Sequence, residues 1–68
     1  MAVMWQRKDK EVVRGWLNIL KAEGRGLTAW EVKFCREFRE NLDRYPNYKW
    51  SQGQEDKLEQ IYTERTPL

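Results

Sequence analysis

The sequence predicts an all-α fold, a compact three-helix domain with helices over about 9–23, 28–44 and 51–65. Three observations carry this prediction. Apolar residues recur at the three- and four-residue spacing of a helix face, and two segments open with capping boxes. Pro46 separates the second helix from the third, because proline cannot continue a helix.

Length and composition fit one small domain. The 68 residues are 40% hydrophobic, 13% aromatic and 35% charged. This composition suits a compact core, whereas a chain of this size has no surplus for a large active-site cavity. We expect residues 1–68 to form a single helical domain, with residues 1–8 and 66–68 as flexible ends.

The first helix is predicted to begin after Asp9 as its N-cap and to end at Gly24, in a left-handed turn. Its apolar stripe contains Val12, Val13, Trp16, Ile19 and Leu20. This stripe offers more apolar surface than two short partner helices need, so homodimerisation through helix one is an alternative use of it.

The second and third helices are predicted from their first turns. Thr28 and Glu31 have the spacing of a capping box, and so do Ser51 and Gln54. The apolar positions of helix two recur every four residues, at Trp30, Phe34, Phe38 and Leu42. Those of helix three form a narrower seam of Leu58, Ile61 and Tyr62.

A resemblance runs over roughly residues 27–65. The chain reads L-T-x-W-E-x-x-F from Leu27 and W-S-x-x-Q-x-x-x-L-x-x-I from Trp50. This resembles a helical-hairpin element, L-[ST]-x-W-E-x-x-F followed by [LW]-S-x-x-Q-x-x-x-L-x-x-I, of small phage and prophage proteins and of some replication and helicase-like proteins. The resemblance implies a phage setting, in which small proteins bind nucleic acid, replication enzymes or host machinery.

The sequence offers little for catalysis or metal binding. It has no His, and Cys35 has no obvious base beside it, so we expect no enzyme activity, no cofactor and no metal. A small, partly buried hydrophobe is the simplest interpretation of Cys35. One unpaired Cys and the lack of a signal-like or membrane-spanning stretch predict the cytoplasm of a bacterial host cell and no membrane contact.

The net charge of +2 is unevenly distributed, because the first third of the chain is the most basic. We expect its cations to contact nucleic acid or an acidic partner: Arg7, Lys8, Lys10, Arg14, Lys21 and Arg25. The connector between helices two and three combines aromatic rings with cations, as protein hot spots and single-stranded nucleic-acid sites do. Its predicted partner-binding residues are Arg44, Tyr45, Tyr48, Lys49 and Trp50. The alternative is that these aromatics cover a thin core.

These features predict a small phage-type interaction protein. We expect it to bind and modulate a host or phage protein of the nucleic-acid machinery, inhibition included, because near-balanced charge with exposed aromatics suits a protein surface better than duplex DNA. Direct nucleic-acid binding through the basic front and the aromatic connector is one alternative. A structural homo-oligomer is another.

Overall fold

Three helices make up the fold of residues 4–67, which a computed structural model describes. They are α1 (Lys10–Glu23), α2 (Ala29–Arg44) and α3 (Gln52–Arg65). The all-α, three-helix prediction is confirmed. Residues 1–3 and 68 lie outside the described residues, and with them part of the two ends that the sequence predicts to be flexible. No helix within residues 4–67 has both the length and the apolar character needed to cross a membrane.

Both predicted capping boxes are present. The Thr28 hydroxyl accepts a hydrogen bond from the Glu31 amide at 3.1 Å, and the Glu31 carboxylate accepts one from the Thr28 amide at 2.8 Å. Ser51 and Gln54 repeat this exchange at the start of α3. Because the two boxes satisfy amides that the first helical turn leaves free, they fix where α2 and α3 begin.

The core lies on one side of each helix, and α1 packs against both α2 and α3. Among residues 4–67, eight apolar side chains are buried: Val13, Leu17, Leu20, Phe38, Leu42, Trp50, Leu58 and Ile61. Trp50 comes from the connector rather than from a helix, and its ring contacts that of Phe38 at a centroid distance of 5.6 Å. The connector therefore closes the core at the end where α2 and α3 meet it.

The buried face of α1 differs from the predicted stripe. Val13 and Leu20 are buried as expected, but the residue between them in the core is Leu17, which the predicted stripe omits. Val12 and Ile19 are instead 42% and 38% exposed. Positions 13, 17 and 20 follow the four- and three-residue spacing, so the helix turns its Leu17 side toward α2 and α3.

The α2 stripe is buried only in its second half. Phe38 and Leu42 are in the core, whereas Trp30 is 56% exposed. A strict four-residue repeat advances by about 40° per step on an α-helix, so its two ends cannot face the same neighbours. Trp30 stacks on Phe34 at 5.3 Å and lies 5.2 Å from the Lys57 ammonium of α3.

Two predicted details of the α1 ends are corrected. Gly24 has φ −63°, so it makes no left-handed turn; Gly26 takes that conformation instead, with φ 71°. Gly24 is needed because a side chain there would collide with the Leu20 carbonyl oxygen. Asp9 precedes α1 in the N-cap position, but its side chain makes no capping hydrogen bond.

Candidate functional site

Residues 7–10 of the segment before and at the start of α1, and residues 46–50 of the connector, line one concave surface, although the sequence predicts the two groups as separate candidates. We call residues 5–10 the front and residues 45–50 the connector. Arg7, Lys8 and Lys10 line it from the front, and Lys49 lines it from the connector. We call this the front–connector surface; its remaining lining residues are Asp9, Pro46, Asn47, Tyr48 and Trp50. Four cations therefore share the surface with a single carboxylate, which gives it an excess of positive charge.

A buried carboxylate joins the front to the connector. Glu55, in the first turn of α3, is only 3% exposed. Its Oε1 accepts hydrogen bonds from the Trp50 indole and the Lys8 amide, both at 2.9 Å, and its Oε2 accepts one from the Trp5 indole at 3.1 Å. The front, which is 47 to 50 residues away in sequence, thus meets the connector and α3 at one side chain.

The charge of Glu55 is stabilised by these donors. Burial alone would raise the pKa of Glu55, but hydrogen bonds from Trp50, Lys8 and Trp5, together with the charge of Lys8, outweigh burial and lower the pKa below its ordinary value. The group is therefore ionised at neutral pH, and its hydrogen bonds are of the stronger, charge-assisted kind.

Arg7 completes the attachment of the front. Its Nε donates to the Trp50 carbonyl oxygen at 2.9 Å. Its guanidinium carbon lies 5.4 Å from the Trp5 ring centroid and 5.7 Å from that of Trp50, so the cation contacts both rings. The sequence predicts residues 1–8 as a flexible end, whereas Trp5, Arg7 and Lys8 are docked on the connector and on α3.

The prediction that Trp50 is a partner contact is wrong. The Trp50 side chain is 2% exposed, so it belongs to the core and offers no ring surface to a partner. Tyr48 is half-buried: its ring meets the edge of Phe38, and its hydroxyl accepts a hydrogen bond from Gln54 at 3.1 Å. Tyr45 is half-exposed, and Arg44 and Lys49 are exposed.

The six predicted basic residues do not form one patch. Arg14 is paired with Asp43 of α2 at 2.7 Å, so its charge is partly compensated. Lys21 and Arg25 lie near the opposite end of α1, and Lys21 is about 16 Å along the helix from Lys10. Only Arg7, Lys8 and Lys10 border the front–connector surface.

Sequence reasoning missed Glu55 and Trp5 as residues that build the site. Any carboxylate in the first turn of α3 is stabilised by the helix dipole. This general effect already explains an acidic residue at position 55, so the sequence gives no reason to expect further contacts. A signal did exist: the chain has four tryptophans, and any tryptophan that is buried needs an acceptor for its indole N–H group. The sequence alone does not say which acceptor they find.

Cys35 is half-buried on α2, and burial together with the nearby Glu31 carboxylate raises the pKa of its thiol. Within residues 4–67, no cluster of three or more His, Cys, Asp and Glu side chains is arranged to hold a metal ion. No protein-family model, no curated protein and no solved structure matches this chain.

Proposed function

We propose that this chain is a small phage-type interaction protein that binds an acidic surface of a host or phage protein through its front–connector surface. Binding modulates that partner, which belongs to the nucleic-acid machinery, and inhibition is one form that modulation takes. The observation that carries the proposal is the convergence of four cations on one concave surface that is lined by one carboxylate, Asp9, and has one more, Glu55, buried beneath it. Such a surface attracts and orients an acidic partner over the range of the Debye length.

A protein partner is favoured over a single-stranded nucleic acid because the connector exposes little aromatic ring surface. Single-stranded sites stack bases on exposed aromatic faces. Here Trp50 is buried and Tyr48 is half-buried against Phe38, so only Tyr45 offers a substantially exposed ring in the connector. Tyr45 is not part of the lining but immediately precedes Pro46, which is, and one half-exposed tyrosine next to a cationic surface fits the apolar anchor and polar rim of a protein interface.

Two alternatives rest on specific observations. The same four cations also suit phosphates, which supports nucleic-acid binding by charge alone. Val12 and Ile19 are partly exposed on one face of α1, which supports a homodimer through that helix. Sedimentation over a concentration range tests the homodimer, which requires association at micromolar protein.

The experiment is a pull-down from bacterial lysate with and without nuclease, using two charge reversals as matched variants. Lys49→Glu alters the front–connector surface, and Lys33→Glu places the same charge change on the exposed face of α2, where Lys33 is 4.0 Å from Glu37. We expect a protein that the parent and Lys33→Glu retain after nuclease treatment and that Lys49→Glu loses. Loss of all captured protein on nuclease treatment, or equal retention by both variants, would contradict the proposal.

A further inference from the structure

A second concave surface lies between α1 and α2, at the end of α1 opposite to the front–connector surface. Its volume is about 480 Å³, and none of its lining residues belongs to the front or the connector. Leu17, Leu20 and Leu27 form an apolar floor with Cys35, and Val32 forms a lip that is 49% exposed. We call it the α1–α2 groove.

Gly24 lines one end of this groove. Its backbone passes so close to Leu20 and Leu27 that a side chain there would collide with the Leu20 carbonyl oxygen and the Leu27 side chain. Leu27 then enters the floor just before the Thr28 capping box fixes the start of α2. The groove is thus bounded by two anchored helices and does not depend on a long loop.

The charged side chains that line the groove have one sign, although Glu31 lies close to Cys35. Lys21, Arg36 and Arg39 line it, and no carboxylate of residues 4–67 does. Arg39 donates to the Asn18 side chain at 2.8 Å, which uses one of its N–H groups. Within residues 4–67, Lys21 and Arg36 take part in none of the ion pairs.

We propose that the α1–α2 groove binds an amphipathic helix of another protein, with apolar side chains on one face and acidic residues beside them. The apolar floor takes the anchors, and the three cations pair with the flanking carboxylates. The lining residues span Leu17 to Lys21 on α1, Gly24 just after its end, and Val32 to Arg39 on α2, which is about two helical turns, or roughly 10 Å. This length holds anchors at positions i, i+3, i+4 and i+7 of a bound helix.

A second copy of this chain is a poorer occupant through its exposed aromatic rings, because these rings are accompanied by cations. Trp30 lies under the Lys57 ammonium, and Tyr45 follows Arg44 in the chain. Placing either ring in the groove would bring like charges together at its edge, which costs binding free energy. The apolar residues of α3 cannot fill the groove either, since Leu58 and Ile61 are fully buried. Occupation through the partly exposed Val12 and Ile19 of its α1 is an outcome of the dilution test.

The test uses three synthetic peptides and the single Cys35 as a reporter inside the groove. The first peptide has Leu at the four anchor positions and Glu beside them, the second has the same composition with the Leu spacing broken, and the third has Lys in place of Glu. Because the thiol pKa is raised, alkylation of Cys35 is followed at alkaline pH. We expect saturable protection of Cys35 by the first peptide alone, with a slowing of about tenfold when the groove is at least nine-tenths occupied.

Reciprocal charge reversals separate this groove from the front–connector surface. Arg36→Glu should weaken binding of the first peptide about tenfold or more, because it replaces an attraction between opposite charges at the edge of the groove by a repulsion. Lys49→Glu, with the same change in net charge, should leave its affinity within about twofold of the parent. Circular dichroism checks that both variants keep the helical fold, which the exposure of both residues leads us to expect.

Four results would overturn the inference. They are no protection of Cys35 at the solubility limit of the first peptide, equal protection by the second or third peptide, equal weakening by Lys49→Glu, and protection without peptide that disappears on dilution. The last would identify a second copy as the occupant. Since the groove shares no residue with the front–connector surface, failure here leaves the proposed function standing, and the reverse also holds.

Discussion

At the scale of single residues, Glu55 does most to shape the candidate site. It is buried and ionised. It accepts hydrogen bonds from the Trp5 indole and the Lys8 amide of the front and from the Trp50 indole of the connector. A buried charge is tolerated only when hydrogen bonds replace its hydration, and here three donors do so. Without these donors, the front would have no polar anchor on α3.

Replacing Glu55 by Gln should destabilise the protein by about 1–3 kcal/mol, since charge-assisted hydrogen bonds are lost and a buried indole donor loses an acceptor oxygen. Glu59→Gln is the matched control, because Glu59 is exposed on the same helix. Urea unfolding of the two variants measures the difference. Equal free energies of unfolding for both would show that the Glu55 contacts contribute nothing.

The sequence predicts residue types at the site better than it predicts their partners. The cations of the front and the aromatics of the connector are visible as a pattern, and Arg7, Lys8, Lys10 and Lys49 do border one surface. Whether Trp50 faces solvent or the core depends on Phe38, which is twelve residues away, and on Glu55. No local pattern contains that information, so the sequence leaves both a partner contact and a core position open for Trp50.

At the scale of helices, start and end positions follow from local chemistry, whereas faces do not. Both capping boxes depend on residues three apart, so α2 and α3 begin where the sequence predicts. The buried face of α1 depends on how two other helices pack against it. The omission of Leu17 from its predicted stripe is the result.

Two glycines of the α1 region should respond oppositely to alanine. Gly15 lies within α1, and a Cβ there would meet nothing within 4 Å, so Gly15→Ala should stabilise the protein by about 0.5–1 kcal/mol through helix propensity and reduced unfolded-state entropy. Gly24→Ala should destabilise it by roughly 1–3 kcal/mol, because the new methyl group collides with the Leu20 carbonyl oxygen.

Thermal unfolding of the two alanine variants checks both signs in one experiment. Each variant adds one methyl group within the α1 region, so any difference reports on local geometry. If Gly24→Ala is as stable as the parent, the close approach of Gly24 to Leu20 is not a feature of the folded protein in solution.

At the scale of the whole molecule, two buried carboxylates tie together segments that are far apart in sequence. Glu55 joins the front, the connector and α3. Glu31, 6% exposed, joins the start of α2 to the end of α3, because its Oε1 also accepts from Arg65 Nε at 3.2 Å. In a domain this small, such contacts supplement a core of eight buried apolar side chains.

This arrangement predicts a loss of stability in acid. The pKa of Glu31 is lowered, by the Thr28 amide first and by Arg65 as well, and the pKa of Glu55 is lowered by its three donors. A carboxyl with a depressed folded-state pKa adds stability above its unfolded-state pKa of about 4.3, and this contribution is lost as the pH falls through the folded-state value. The free energy of unfolding should therefore decrease below about pH 4.3.

Urea unfolding at neutral and acidic pH measures this decrease, and the double variant Glu31→Gln, Glu55→Gln is its control. The double variant should be less stable than the parent at neutral pH. Its free energy of unfolding should decrease less on acidification, since neither position can titrate. A parent-like decrease in the double variant would assign the acid sensitivity to other carboxylates, such as Asp43, whose pKa is lowered chiefly by a hydrogen bond from Arg14.

The docking of the front on the connector, on which the proposed binding surface depends, is tested most directly by the indole N–H signals of the four tryptophans. In a pH titration followed by ¹H–¹⁵N NMR, the signals of Trp5 and Trp50 should shift together as Glu55 takes up a proton, and Glu55→Gln should abolish both shifts. Trp16 and Trp30 have no hydrogen bond to Glu55 and serve as internal references. If the Trp50 signal shifts with the protonation of Glu55 and the Trp5 signal does not, the result would contradict the account, because the front would then not be held on the connector.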